Sequence, residues 1–538
     1  MKITSAFKAV AMAGVFALAT MGAAQAVTLY TMNGSEPGSI DPHQASGDWE
    51  NRIIGDYIEG LMAEDARAEA IPGQAESWTV SDDGLVYTFT LRDGIQWSDG
   101  TPVTAADFEY AFRRIVNPAT ASDYAYLQYP IKGASEVADG SMPVDSADFG
   151  VKAIDDKTLE ITLENPTPYF LQLLTHYTAF PVPKHVVEAK GAEWTKVENI
   201  VSNGPYTPVE WVPGNYVRSV KSDTYYDKDQ VQIDEVYYYV QDDLAAAFNR
   251  YRAGEYDILT DLPFDQQKFV RDTLPGEGRF APFAGIHYYV LNQEFEPLAD
   301  VNVRKALSIA INRAIIGPDI WGSGEPPAYG WVPPGSANYN VPPYTPEYST
   351  KSYEENVAEA KALMEAAGYT AASPLALQIR YNTNDNHQRL AVAISSMWEQ
   401  INVKTELFNA ETPVHYDALR AGDYQVGRAG WLMDYSDPSN MIELLETGVT
   451  QDGKMNWGNN YGRYSNPEFD RLAAEAEKET DLQKRAELYA QAEKIAMDEF
   501  GAIPLVYYLA ANVVKPNIQG FEDNAKDTHR TRWLTKTE

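Results

Sequence analysis

The chain has 538 residues, 43 Lys and Arg against 77 Asp and Glu, a net charge of −34, and no cysteine. That excludes a disulfide framework, a thiol nucleophile, a thiolate metal site and an N-terminal lipid-bearing cysteine. So acidic a chain lacks the basic face that nucleic acid or anionic lipid requires, and 44% apolar residues at this length predict a large ordered core shared by several domains.

Residues 1–26 read as an export signal. Lys2 and Lys8 precede an apolar stretch over 9–19, and Ala24 and Ala26 form the small-residue pattern of a cleavage site. Cleavage is expected after about Ala26. The apolar stretch is too short to persist as a membrane anchor. The expected product is exported, periplasmic, not membrane-anchored and monomeric.

A strand is predicted over 27–32, followed by a turn cluster over 33–38. Tyr57, Ile58, Leu61 and Met62 have helical spacing. Residues 86–91 alternate as a strand. Thr104 and Asp107 form a capping box before a helix with Phe108, Ala111, Phe112 and Ile115 on one face. Strands are predicted over 158–163, 231–240 and 286–291, and helices over 244–252 and from Val303 to Ala314. The Pro-, Gly- and Tyr-rich stretch 322–348 reads as a packed surface loop. A helix over 354–367 ends at Gly368. A strand over 375–381, a helix through Leu390, Ala393, Ile394 and Met397, and a strand over 403–408 make a βαβ unit with a parallel pair. Thr480 to Gln483 reads as a capping box, and 506–511 as a buried strand. Alternating strands and helices predict an α/β fold.

Catalytic motifs are missing. There is no Gly-x-Ser-x-Gly elbow and no phosphate loop, since Gly453-Lys454 is followed by Met455. None of the seven histidines has a partner at zinc-helix spacing. No enzyme activity, metal or cofactor is therefore expected. A large exported α/β chain of this kind fits a two-lobed binding protein that closes on a ligand.

Several segments carry a resemblance, in order along the chain. They are Asn33-Gly34-Ser35-Glu36 with Asp41-Pro42-His43, Trp97-Ser98-Asp99-Gly100-Thr101-Pro102-Val103-Thr104-Ala105, and Pro181-Val182-Pro183-Lys184. Asn249-Arg250-Tyr251-Arg252-Ala253-Gly254-Glu255, Val303-Arg304-Lys305-Ala306-Leu307 and Tyr381-Asn382-Thr383 follow. Arg428-Ala429-Gly430-Trp431 with Asp434-Tyr435, and Tyr507-Tyr508 with Val514-Lys515-Pro516, complete the set. From about residue 30 to its end the chain resembles the periplasmic oligopeptide-binding proteins of ABC peptide importers, within the peptide/nickel-type extracellular solute-binding family.

The resemblance implies a three-lobed periplasmic binding protein of class II type, two jaws plus an inserted domain, closing by a hinge. Domain I is expected over 27–58, 184–285 and 509–538, domain II over 59–183, and domain III, the second jaw, over 286–508. The implied ligand is a short peptide, and the implied partner an inner-membrane ABC permease with cytoplasmic ATPase subunits. By the same resemblance Asp434 pairs with the ligand amine, and Arg428 and His387 meet its carboxylate directly or through water. The backbones of Gly430 and Leu432 pair with the peptide. Trp431 walls a pocket, Ser46, Gly47 and Asp48 form an opposing strand-like segment, and Tyr124 and Asn382 are pocket residues. Thr412 stands where the family has a pocket tryptophan, and Leu419, beside Arg420, where it has a basic residue. An alternative ligand is one specific amino-bearing compound, such as a murein peptide or an opine-like conjugate; an exported hydrolase is a further alternative.

Overall fold

The structure is a computed structural model, described over residues 26–451 and 454–537. The expected export signal, Ala26 apart, lies outside the described residues. Strand β1 (Thr28–Gly34) opens the fold, and helix α1 (Asp48–Tyr57) follows it. The helix stops at Tyr57 because Ile58 is extended, with φ −124° and ψ 138°. The helical reading of Tyr57 to Met62 is therefore corrected. Its apolar spacing came from the last turn of α1 running into a short strand, Met62–Glu64, that pairs with Ala70–Pro72.

An antiparallel sheet comes next, from β2 (Ala75–Val80), β3 (Val86–Leu91), β4 (Val151–Ala153) and β5 (Thr158–Thr162), in the order β2-β3-β5-β4. Helix α2 (Ala105–Val116) covers it, burying Phe108, Ala111, Phe112 and Ile115. Its capping box is formed as predicted, with the Asp107 carboxylate accepting from the Thr104 N–H at 2.9 Å.

The remaining strands are β6 (Tyr206–Val212), β7 (Tyr216–Lys221), β8 (Glu235–Val240), β9 (Ile258–Leu259), β10 (Gly278–Leu291), β11 (Leu375–Asn382), β12 (Val403–Ala410), β13 (Val426–Leu432) and β14 (Ile503–Val514). With β1 they form one ten-stranded sheet, in the order β12-β11-β13-β10-β14-β9-β1-β8-β7-β6. Helix α3 (Asp385–Glu399) connects the parallel neighbours β11 and β12, the expected βαβ unit. Helix α4 (Thr412–Ala421) precedes β13, and helix α5 (Leu482–Asp498) precedes β14. The cap of α5 is Asp481, which accepts from Gln483 and Lys484 N–H, not Thr480. A carboxylate one residue nearer the helix takes both donors.

The long strands β10 and β14 are adjacent and antiparallel at the centre of this sheet. Ile286, Tyr288 and Val290 face one core, Tyr289 and Leu291 another. This is the two-residue alternation of a strand buried on both faces. A separate core gathers β1, α1, α2, β3 and β8. The β10–β14 register breaks between Pro282, opposite Leu509, and Ile286, opposite Tyr507. Phe283, Ala284 and Gly285 thus face Tyr508 alone, a bulge next to a proline that cannot donate to the ladder. The loop over 322–348 is packed, as expected: Trp331 is fully buried and its Nε1 donates to the Met441 carbonyl at 2.6 Å.

Candidate ligand-binding site

The two edges of β13 differ. On one, every residue from Val426 to Leu432 pairs with β10. On the other, β11 pairs with Val426 and Gly427 alone. From Arg428 to Leu432 that second edge has no strand beside it among the described residues. Strand parity decides which backbone groups look outward. Met433 N–H donates to Ala284 O, on the β10 side, at 2.8 Å. On the other side, the Arg428 carbonyl accepts from His415 Nε2 of α4 at 2.8 Å. Successive residues alternate, so the N–H and C=O of Gly430 and Leu432 face the open edge. Glycine at 430 leaves room for the tips of two side chains, which a Cβ would displace. A Cβ there would lie 2.5 Å from Tyr508 Oη and 2.9 Å from Arg428 Nη2.

A buried guanidinium marks one end of this edge. Arg428 is 5% exposed. It donates to Asn382 Oδ1, Tyr416 Oη and Tyr508 Oη, each at 3.3 Å, and to His287 Nδ1 at 2.7 Å. All these partners are neutral, and its buried Nε has no partner among the described residues. Burial, then the Arg428 charge, pushes His287 well below its usual range and His387 down to about 3. Burial also lowers His415 to about 4. The imidazoles are therefore uncharged at neutral pH, and among the described residues no carboxylate pairs with the one full positive charge. His387 lies close by, its ring centre 6.2 Å from that of His287. Its Nδ1 donates to the Asn382 carbonyl at 3.4 Å.

A carboxylate marks the other end. Asp434 follows β13, and its Oδ2 accepts from Tyr126 Oη at 3.2 Å and Asn440 Nδ2 at 3.4 Å. Neither partner is charged, and burial raises its carboxyl above the usual range. Asp434 stands between two cavities. The larger, 430 Å³, is walled by Tyr126, Tyr169, Trp431, Glu443, Glu446 and Trp457 among others. The smaller, 340 Å³, is lined by Ser46, Gly47, Asp48, Tyr124 and Leu432. The Tyr124 ring lies against Tyr126 and His176, with centres 5.8 and 5.7 Å away, and its hydroxyl is pushed up to about 12 by burial and by Asp434. Six residue steps lead from Arg428 to Asp434, at most about 22 Å between Cα atoms. Among the described residues the geometry is an open strand edge with an unpaired positive charge at one end and an unpaired negative charge at the other.

A family model, "Bacterial extracellular solute-binding proteins, family 5 Middle", matches residues 69–452. The periplasmic oligopeptide-binding protein OppA of Escherichia coli is 39% identical over 502 residues, 93% of this chain and 90% of that one. This chain belongs to family 5 of the bacterial extracellular solute-binding proteins. The unliganded open form of the murein tripeptide-binding protein MppA superposes with a TM-score of 0.83 at 35% identity, covering 95% of this chain and 98% of that chain. A complex of Haemophilus influenzae OppA with the peptide RPPGFSPFR gives 0.76 at 34% identity, over 96% and 99%.

Several expectations for this family 5 protein need adjusting. Asp48 is not strand-like; it is the first residue of α1, behind the N-cap Gly47, whose N–H donates to Glu50 Oε2 at 2.7 Å. Thr412 opens α4, but its side chain lies outside the described residues. Leu419 is fully buried in a hydrophobic core, and Arg420 pairs with Asp417 at 3.0 Å on the exposed face of α4. Neither residue meets the Asp434 cavities. Sequence reading missed Tyr126, Asn440, His287 and Tyr416. Only Tyr508 carried a signal, in the Tyr507-Tyr508 pair. Tyr126 lies 308 positions from its partner Asp434, and no local pattern reports such a contact.

Proposed function

We propose that this protein is a periplasmic receptor that captures short peptides in the cleft along β13 and delivers them to an ABC importer. One observation carries the reading: the open edge of β13 runs between an uncompensated guanidinium at Arg428 and an uncompensated carboxylate at Asp434. An extended peptide has the complement, an ammonium and a carboxylate joined by a row of backbone donors and acceptors. Asp434 takes the amine, Arg428 with His387 the carboxylate, and Gly430 and Leu432 pair with the peptide backbone. Ser46, Gly47, Asp48, Tyr124 and Trp431 wall the side-chain cavities, and Asn382 orients Arg428. Such contacts ignore side-chain identity, which suits a receptor of broad tolerance. The naming of relatives as periplasmic oligopeptide-binding proteins supports both ligand class and compartment. No helix among the described residues is long and apolar enough to cross a membrane.

The lobes follow the same reading: domain I over 27–58, 184–285 and 509–538, domain II over 59–183, domain III over 286–508. The bulge at Phe283–Gly285 falls at the junction of I and III and supports a hinge there. The role is capture, not turnover, so a peptide panel should be returned intact. A second reading, one specific amino-bearing ligand, draws on the likeness to a murein tripeptide-binding protein. Native mass spectrometry of freshly purified protein separates the two. A ladder of peptide masses supports the first, one homogeneous mass supports the second, and absence of any bound peptide together with no titratable peptide binding would sink both.

A further inference from the structure

The 430 Å³ cavity gathers more carboxyl groups than one ligand amine can answer. Asp434, Glu443 and Glu446 all line it, and no Lys, Arg or His among the described residues does. None of the three has an ion-pair partner among the described residues. Glu443 is held by Asn440, whose Nδ2 donates to Oε1 at 3.0 Å while contacting Asp434. Glu443 is an exposed residue that lines the cavity. Partial loss of water around the carboxyl, then Asp434 and Glu446, raises it above the usual carboxylate range. Burial, then Glu477 and Asp470, pushes Glu446 up to about 7. Carboxylates crowded without a cation either hold protons or accept a positive charge from outside.

The walls suit such a charge. Tyr126, Tyr169, Trp431 and Trp457 supply aromatic faces, which attract ammonium and guanidinium groups. The Tyr169 ring stacks on Tyr435, centres 4.7 Å apart at 7°, and joins the 59–183 segment to the segment carrying Asp434. The cavity is therefore completed by residues from both sides of the cleft. Its position relative to β13 is also specific. Trp431 lines this cavity, whereas Leu432 lines the smaller one. Alternate side chains of a strand point to opposite faces, so neighbouring side chains of a peptide paired with β13 enter different cavities.

We propose that this cavity is a subsite for a cationic side chain, lysine or arginine, at one of the first two positions of a peptide whose amino group Asp434 holds. The inference rests on the peptide-receptor reading. Asp434 neutralises the α-ammonium; Glu443 and Glu446 neutralise the side chain, and the aromatic walls exclude water around it.

Titration calorimetry with tripeptides carrying lysine, Nε-acetyl-lysine or norleucine at position one, and separately at position two, tests this. At one position lysine binds about tenfold or more tighter than either neutral analogue, because a charge-assisted contact is replaced by an apolar one. In Glu443→Gln/Glu446→Gln that ratio falls toward one. Equal affinities of lysine and its neutral analogues for the wild-type protein at both positions would overturn the subsite and leave the receptor reading standing. So would a ratio that survives in a folded double variant. The acetyl-lysine comparison needs no variant, so a misfolded double mutant does not rescue the inference. If none of the peptides binds the wild-type protein, the receptor reading itself falls, and the subsite with it.

Discussion

The two ends of the open β13 edge solve the same problem, a charge kept for a ligand, by different means. At Arg428 the protein builds a closed cage. The guanidinium is held by Asn382, Tyr416, Tyr508 and His287, all neutral, so its geometry is set while its charge is left over. At Asp434 it builds a porch between two cavities, and among the described residues Tyr126 and Asn440 alone hydrogen-bond the carboxylate. A cage rigidifies one terminus of the ligand, whereas a porch tolerates variation in the side chains beside the other. Arg428 is buried and Asp434 half-buried, and among the described residues each charge is met by hydrogen bonds rather than by a counter-ion.

The largest expected effect is at the porch. Asp434→Asn should weaken binding of a free-amine tripeptide by about 2–5 kcal/mol, since an ammonium is then buried against an amide. N-acetylated peptide should bind weakly to both proteins. Equal affinity of free and acetylated peptide for the wild type would break the assignment of Asp434. At the cage, Arg428→Lys keeps the charge but loses the fork that reaches four partners. A loss of about 1–3 kcal/mol in affinity is expected, together with a lower melting temperature, because His287 and Asn382 lose their donor. A melting curve and affinity both unchanged would mean that the cage positions nothing. Gly430→Ala lies between the two ends. Its Cβ would press on Tyr508 and Arg428, so about 1–3 kcal/mol of stability should be lost. Calorimetric unfolding reads this directly.

The smallest effect separates the ends by pH. Burial raises the carboxyl of Asp434 in the free protein, and a bound ammonium would lower it again. Binding at and below the raised value then releases a proton, so affinity falls as pH falls through it, by at most tenfold per pH unit. At the cage, His387 at about 3 and His415 at about 4 stay neutral over the same range. Their contribution to folding has the opposite origin but the same direction. The unfolded imidazoles take up protons below about 6.5, so stability declines as pH falls from there toward the folded values. As pH falls through the raised value of Asp434, acetylated peptide, which reports on the carboxylate end alone, should therefore change affinity less than free-amine peptide. A larger change for the acetylated form would reverse the comparison.

Much of the scaffold was legible in the sequence because it rests on local chemistry. The Thr104–Asp107 box, the helix ended by Gly368 and the strands 86–91 and 286–291 each follow from periodicity and capping within a few residues. The misreadings were local too: a helix carried past Tyr57, another carried to Ala314 where the structure ends it at Ile309, and a cap placed one residue early at Thr480. The site divides differently. Asp434, Arg428 and their neighbours on β13 form one short run, so resemblance to a family could single them out. Their partners come from far away. Tyr126 is 308 positions from Asp434, and His287 is 141 from Arg428.

Sequence alone determined the α/β elements, the acidic cysteine-free surface chemistry and the run of residues that became β13. Tertiary structure alone decided that β11 diverges after Gly427 and leaves the rest of that edge open. It also decided that the partners of Arg428 are neutral and that three carboxylates share one aromatic-walled cavity. The physical reason is range. Capping and alternation act over a few residues, whereas a charge without a counter-ion is a property of everything folded around it.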